Sequence, residues 1–292
     1  MKKAILKHGA AKPANNIMKG GDVIYSFSIE NANTINLSCG NSKIGRMMNW
    51  STLPGNSEHP LIAKGRQVTN VEGTCSHNCN GCFKNCYARR SILQHHNSVT
   101  KPWATNTLMI RFKMDECFRQ IDTKIRELNN KFYASGNPAD LKYKFFRINT
   151  SGELATLEEL EKWNELAKKH TYVNFAVYTK NSIVVLAFFK RWGQTADNLT
   201  VNISQWHHVM DETIAELNSL GAKYNIFTYD DSNTNKNELS EEDKRYLEAL
   251  PHCKAVMQNG GHYLKPDGSP LHCSECQRCY HKTGKEIAVY SH

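Results

Sequence analysis

From residue 142 onward the sequence alternates between short β-rich segments and helical ones. "KYKFFRIN" (142–149), "YVNFAVYTK" (172–180), "NLTVNISQW" (198–206), "KYNIFTYD" (223–230) and "CKAVMQNG" (253–260) read as strands. Between them "ATLEELEKWNELAKKH" (155–170), "SIVVLAFFKRWG" (182–193), "MDETIAELNSLGA" (210–222) and "SEEDKRYLEAL" (240–250) read as helices. In the first helix Leu157, Leu160, Trp163 and Leu166 recur at helical spacing. Thr156 is placed to cap its N-terminus, and Glu158 and Glu159 fall in the first turn, where the helix dipole favours negative charge. Strands separated by helices of this length predict parallel βαβ units. Upstream, "RQVTNVEG" (66–73) reads as the first strand, followed by helices over 82–96 and 106–132.

The count reaches about six β/α units, too few for a closed eight-stranded barrel. The expected fold is therefore α/β: a partial (β/α)6 TIM-like barrel over residues 66–262, with an N-terminal extension over 1–65 and a C-terminal cysteine-rich cluster-binding segment over 263–292. Parallel sheets carry active sites beyond the C-terminal ends of their strands. The cysteine loop after residue 73 and the strand-end sequences "TSGE", "YTKNS", "SQWHH", "TYDDS" and "MQNGG" should then open onto one face.

Ten cysteines in 292 residues need an explanation, and the expected compartment narrows it. The opening "MKKAILKHGAAKPANN" is basic but lacks the apolar core of a signal peptide. No window approaches the roughly 18 apolar residues that cross a bilayer. A cytoplasmic protein with no membrane partner is expected, and in a reducing cytosol clustered cysteines are metal ligands more often than disulfides. The net charge of +9 suits a polyanionic partner such as nucleic acid without requiring one.

"EGTCSHNCNGCFKNCYARRS" (72–91) holds Cys75, Cys79, Cys82 and Cys86 at the spacing C-x3-C-x2-C-x3-C. Zinc sites usually draw paired cysteines from well-separated stretches, so four in one short loop favour iron–sulfur, with zinc on all four as the alternative. Near the C-terminus Cys273, Cys276 and Cys279 form the C-x2-C-x2-C run of a cubane cluster. Cys253 is the natural fourth ligand there, and a structural zinc is the alternative occupant. Cys117 reads as a packed thiol within a helix, and Cys39 carries no assignment.

The run Cys75-x3-Cys79-x2-Cys82, following a first strand and leading a chain of β/α units, resembles the radical S-adenosylmethionine (SAM) superfamily. "CSHNCNGCF" is similar to the cluster loop of activating enzymes for anaerobic ribonucleotide reductase. The resemblance implies a 4Fe–4S cluster held by three thiolates, with SAM chelating the fourth iron and a flavodoxin- or ferredoxin-like electron donor. Further motifs are "NSKIGRMMNWSTLPG" (41–55), "CFKNCYA", "FFRINTSGE", "FAVYTK" and the tail "CSECQRCYHKTGKEIAVYSH". Together they resemble a bacteriophage gene-product family, number eighty-eight in a mycobacteriophage, whose members are related to radical SAM proteins. The likeness spans most of residues 35–292 and places the protein in the cytoplasm of a bacterial or phage-infected cell. In that family the loop recurs as C-x6-C-x3-C-Y-A, which here selects Cys75, Cys82 and Cys86. Both patterns are superimposed in this chain, and the shorter spacing favours Cys75, Cys79 and Cys82. Ligation by all four would close the open iron and remove SAM cleavage. The family likeness also supports a cysteine ligand at position 253.

The radical SAM resemblance also implies positions for the cofactor. Ser151, Gly152 and Glu153 stand where that superfamily carries a Gly-Gly-Glu-like motif for the SAM ammonium group. Thr179 and Lys180 would face its carboxylate, Asn202 and Ser204 the ribose, and Gln258 and Asn259 the adenine side. The adjacent pairs His95/His96 and His207/His208 lack the spacing of helical metal ligands, and Asp230–Asp231 reads as a strand-end turn rather than a magnesium site. The leading expectation is an iron–sulfur radical SAM-type enzyme. It would cleave SAM reductively to a 5′-deoxyadenosyl radical for hydrogen abstraction from an unidentified substrate, nucleic acid or small molecule. The alternative is a non-enzymatic phage protein, stapled by iron–sulfur or zinc, that binds nucleic acid through its positive charge.

Overall fold

The computed structural model of the chain describes residues 23–41, 44–75, 80–135, 144–206, 212–230, 239–254 and 263–290. In chain order the strands are β1 (Val23–Tyr25), β2 (Ser38–Asn41), β3 (Gly45–Asn49), β4 (Ile62–Ala63), β5 (Arg66–Thr69), β6 (Phe145–Ile148), β7 (Asn174–Thr179), β8 (Leu199–Trp206), β9 (Asn225–Asp230) and β10 (Glu286–Tyr290). The helices are α1 (Asn80–Lys84), α2 (Tyr87–Phe112), α3 (Met114–Ser135), α4 (Leu157–Lys169), α5 (Ser182–Trp192), α6 (Glu212–Ser219), α7 (Glu241–Ala249) and α8 (Cys273–Cys276). They form two compact units. One gathers Met1–Leu37, Trp50–Gly136 and Asn149–Leu166, the other Ser38–Asn49, Asn137–Ile148 and Ala167–His292.

The second unit is built on a seven-stranded sheet in the order β10-β9-β8-β7-β6-β3-β2. Pairing is parallel from β3 through β10, and β2 adds an antiparallel edge. Phe175, Ala176 and Val177 are consecutive in β7 and all fully buried, the continuous apolar run of a strand covered on both faces. Helix α5 buries Val184, Val185, Phe188 and Phe189. Asn181 caps it by accepting from the Val184 N–H at 3.3 Å, and Gly193 ends it at φ 74°. The loop before β8 is tied down by Asn198, whose Nδ2 donates to the carbonyls of Ala167 (2.9 Å), His170 (3.0 Å) and Val173 (2.7 Å).

The mixed α/β class and the strands near 145, 174, 199 and 225 agree with the sequence-based expectation. Sheet membership differs at both ends. Arg66–Thr69 does not lead the large sheet; it pairs with β1 and β4 in a three-stranded sheet of the first unit. Its place beside β6 is taken by β3, from the stretch expected to be an extension. The reason is composition. Met47 and Met48 point to opposite faces of β3 and are both buried, whereas Arg66 is exposed, and a parallel interior strand needs apolar cover on both sides. The last strand is β10, with Ile287 and Ala288 buried, in the stretch expected only to carry cysteines. The strand order runs from β10 to β2 without closing among the described residues. The expected strand at 253–260 lies mostly outside the described residues; His252 beside it bridges to Ala288 of β10.

In the first unit the expected helix over 106–132 is divided at Lys113 (φ −134°, ψ 43°). The Lys113 ammonium is bound by Ala32 O at 3.0 Å and Asn33 Oδ1 at 2.8 Å, and Asp115 and Glu116 begin the next helix with negative charge. α4 starts as expected: the Glu159 N–H donates to Thr156 Oγ1 at 3.1 Å. The core of this unit packs Trp163 edge-to-face with Trp50 and Phe118, at centroid distances of 6.2 and 4.8 Å. Cys117 is fully buried and Cys39 exposed. Among the described residues no helix is long and apolar enough to cross a membrane.

Tyr280 anchors the C-terminal segment in the core of the second unit, with Ile44, Met47, Phe145 and Ala176. Its ring lies 4.8 Å from Phe145, and its hydroxyl donates to Met47 Sδ at 3.1 Å. Tyr280→Ala should cost about 3–5 kcal/mol, by analogy with other buried aromatics. Tyr280→Phe, losing one hydrogen bond, should cost about 1 kcal/mol. Urea midpoints of the two variants would test the ranking.

Candidate metal centres

The first cysteine set lies in the first unit. After β5 the chain runs beside residues 53–55: the Thr74 N–H donates to Leu53 O at 2.9 Å and the Cys75 N–H to Gly55 O at 3.0 Å. Gly73 allows this approach, because a Cβ there would stand 2.1 Å from the Pro54 carbonyl oxygen. Helix α2 holds the same backbone. Thr107 Oγ1 accepts from the Leu53 N–H at 2.9 Å. The Arg111 guanidinium donates to Glu72 O at 2.7 Å and Gly73 O at 2.6 Å. Thr107 and Arg111 are one turn apart, so one helix face grips both segments at the base of the loop.

The Ser151–Glu153 turn meets the loop here. Thr74 Oγ1 accepts from the Glu153 N–H at 2.7 Å and shares a hydrogen bond with Thr52 Oγ1 at 2.8 Å. Ser151 Oγ donates to Thr52 O at 2.8 Å, and the Thr52 N–H donates to Ser151 O at 3.0 Å. Gly152 has φ +81°, and a Cβ would lie 1.8 Å from Thr52 Oγ1 and 2.6 Å from Thr74 Oγ1. Only glycine fits without displacing both threonines.

The electrostatics of this site follow from burial. Desolvation pushes the Cys75 thiol well above its ordinary range, reinforced by the Glu153 carboxylate and by Cys86 and Cys82. Glu159, fully packed at the start of α4, is raised to about 7, chiefly by desolvation and further by Glu153. Arg111 opposes this charge: it feels Glu72, Cys75 and Glu159, while desolvation lowers its own pKa. Thiols and carboxyls gathered around one half-buried guanidinium make a site suited to a further cation, and thiolates select iron or zinc. Cys75, Cys82 and Cys86 are all half-buried, and Cys79 lies outside the described residues.

The second set lies in the second unit. Cys253, Cys273, Cys276 and Cys279 line one small cavity of about 20 Å³, with Phe227, Ile287 and Arg278 among its other walls. Asn202 and Asn225, neighbours across β8 and β9, seat the C-terminal segment on the sheet. Asn202 Nδ2 donates to Cys279 O at 3.1 Å and Val177 O at 3.2 Å, and Asn225 Nδ2 donates to Asn202 Oδ1 at 3.0 Å and His281 O at 2.9 Å. The Cys253 N–H is anchored to Ala288 O at 2.8 Å. Burial pushes the Cys279 thiol up to about 12, with Cys273 and Cys253 adding to the shift and a Tyr178 hydrogen bond opposing it. Four thiols around one cavity fit a thiophilic metal by donor chemistry. Among the described residues, however, no group of three or more His, Cys, Asp or Glu side chains stands placed to hold a metal ion.

The structure therefore brings Cys75, Cys82, Cys86 and Glu153 together in one unit, and Cys253, Cys273, Cys276 and Cys279 in the other. The remaining positions are dispersed. Thr179 is buried at the end of β7, where Oγ1 accepts from the Asn181 N–H at 2.9 Å. Lys180 and Ser204 are half-buried. The Asn202 side-chain amide donates to Val177 O and Cys279 O as described. Gln258 and Asn259 lie outside the described residues. Asp230 is buried, and the His252 Nε2 lies 3.0 Å from its Oδ2. Arg111 and Glu159 went unread in the sequence as site residues. The signal for Arg111 was a charge inside the apolar run "LMIRF" (108–112).

A family model described as Gene product 88 matches residues 30–282, and the chain belongs to that family. This bears out the bacteriophage gene-product resemblance; no radical SAM family model matches. Neither the curated proteins nor the solved structures contain a significant match.

Glu159 makes the first unit sensitive to pH. Its carboxyl titrates near 4.5 when unfolded and near 7 when folded. The stability linked to its protonated form is complete below about pH 4.5 and disappears as pH rises through 7. The difference is on the order of 3 kcal/mol. Glu159→Gln should flatten the profile, gaining on the parent between pH 5 and pH 8. Urea denaturation at both values measures this, and parallel profiles for the two proteins would exclude Glu159 as the source.

Proposed function

We propose that the chain is an iron–sulfur enzyme of the radical SAM type. The observation that carries this reading is the junction of the cysteine loop with the Ser-Gly-Glu turn, where Glu153 and Thr74, 79 residues apart in sequence, are bonded directly. A carboxylate beside three thiols is the arrangement needed to bind a cluster and the amino group of SAM side by side. Cys75 and Cys82 would be common ligands, with Cys79 or Cys86 as the third. Arg111 holds the loop backbone and balances thiolate charge, and Gly152 brings the Glu153 backbone close against Thr74. When bound, a reduced 4Fe–4S cluster supplies one electron that breaks the C5′–S bond of SAM, giving methionine and a 5′-deoxyadenosyl radical. The parallel strands β3 and β6–β10 would curve as a partial barrel in this reading, and the C-terminal cysteines would hold a second cluster.

The test is anaerobic reconstitution with iron and sulfide, counting iron and zinc per chain, followed by dithionite and SAM with detection of 5′-deoxyadenosine. About eight irons per chain are expected for two cubane clusters. Cys75→Ala and Cys82→Ala should abolish deoxyadenosine formation while leaving the C-terminal site filled. Between Cys79→Ala and Cys86→Ala, the one that retains cleavage marks the spare thiol. Cleavage surviving in both Cys75→Ala and Cys82→Ala would refute the proposal. Full occupancy by zinc would instead favour a metal-stapled binding protein, whose nucleic-acid affinity should fall steeply with salt.

A further inference from the structure

The C-terminal cysteines rest on a polar row that crosses the sheet of the second unit. Tyr178 of β7 is opposite Asn202 of β8, and Asn202 is opposite Asn225 of β9. Arg147 of β6 is opposite Ala176, which puts it on the same face as Tyr178, since side chains two apart on a strand share a face. The guanidinium carbon of Arg147 lies 4.1 Å from the centroid of the Tyr178 ring, close enough for a cation–π interaction. Tyr178, Cys273 and Cys279 pack against one core cluster with Tyr280. The Tyr178 hydroxyl is hydrogen-bonded to the Cys279 sulfur.

Holding a chain end in place does not require a half-buried arginine and phenol beneath it, because Asn202, Asn225 and Tyr280 already do that. A cluster that gains an electron becomes more negative by one charge. A hydrogen bond to a ligand sulfur and a nearby half-buried cation both favour the more negative state, and so raise the reduction potential.

We propose that Tyr178 and Arg147 set the reduction potential of an iron–sulfur cluster held by Cys253, Cys273, Cys276 and Cys279, keeping that cluster easily reduced. This rests on reading those cysteines as cluster ligands. The step is the entry of one electron from a low-potential one-electron donor into the cluster, with no bond broken. Tyr178 and Arg147 are positioning residues: neither is a ligand.

The experiment uses the full-length chain carrying Cys75→Ala, Cys82→Ala and Cys86→Ala, so that the C-terminal site alone is read. After anaerobic reconstitution, iron and zinc are counted, and the midpoint potential is taken from a dithionite titration followed by electron paramagnetic resonance. Tyr178→Phe should keep its iron and weaken reduction about tenfold, a fall of about 59 mV for one electron. Arg147→Gln, which removes the charge and retains a polar side chain, should move the potential in the same direction, and it serves if Tyr178→Phe does not fold. Full iron with an unmoved potential in the variants overturns the tuning role while leaving the cluster assignment intact. Zinc in place of iron in the parent overturns both.

Discussion

Irregular backbone can be buried only if its N–H and C=O groups find partners, and both cysteine sets of this protein join such backbone to short helices, α1 in one and α8 in the other. The partners come from side chains on regular elements. Arg111 and Thr107 of α2 serve residues 53 and 72–73, and Asn106 of the same helix donates to Asn36 O and Ser51 O at 2.7 and 2.9 Å. In the other unit Asn202 and Asn225 serve residues 279 and 281, and the Lys282 ammonium donates to Thr195 O and Ala196 O at 3.0 and 2.7 Å. Each of these side chains is carried by a helix, strand or loop of its own unit. Removing one would strand a backbone carbonyl, or at Thr107 the Leu53 N–H, and a buried unpaired group costs more than the hydrogen bond itself contributes.

The same elements carry the counter-charge. Each cysteine set has an arginine behind it, Arg111 in one and Arg147 in the other, and each arginine interrupts an otherwise apolar run. Burial keeps Cys75 and Cys279 as neutral thiols. Thiolates become favourable there only when a metal supplies positive charge. In the first set the Glu153 carboxylate raises the Cys75 thiol further, whereas in the second Tyr178 and Arg147 act to lower the Cys279 thiol.

Much of the fold was legible. The β6, β7, β8 and β9 segments and helices α4, α5 and α7 fall within a few residues of their expected places, because periodicity and capping are local signals. Sheet membership was not legible. "RQVT" and "GRMMN" are both plausible strands, and only the burial available on each face assigned the second to the large sheet. The break at Lys113 was missed for a similar reason: its cause is two oxygens from residues 32 and 33. At the sites, the spacing of the cysteines named the two sets, but Arg111 and Glu159 reach the first set from remote parts of the chain. The hydrogen bonds that β9 and the C-terminal segment make to the Asn202 amide were equally out of reach of the sequence.

The sequence by itself determined the α/β class, the phage gene-product family and the division of eight cysteines into two groups. These depend on composition, periodicity and spacing along the chain. Tertiary structure decided which strands share a sheet, that the Ser-Gly-Glu turn joins the first cysteine loop, and which cations stand behind the thiols. Those outcomes depend on desolvation and on hydrogen bonds between residues far apart in the chain, and neither exists until the chain has folded.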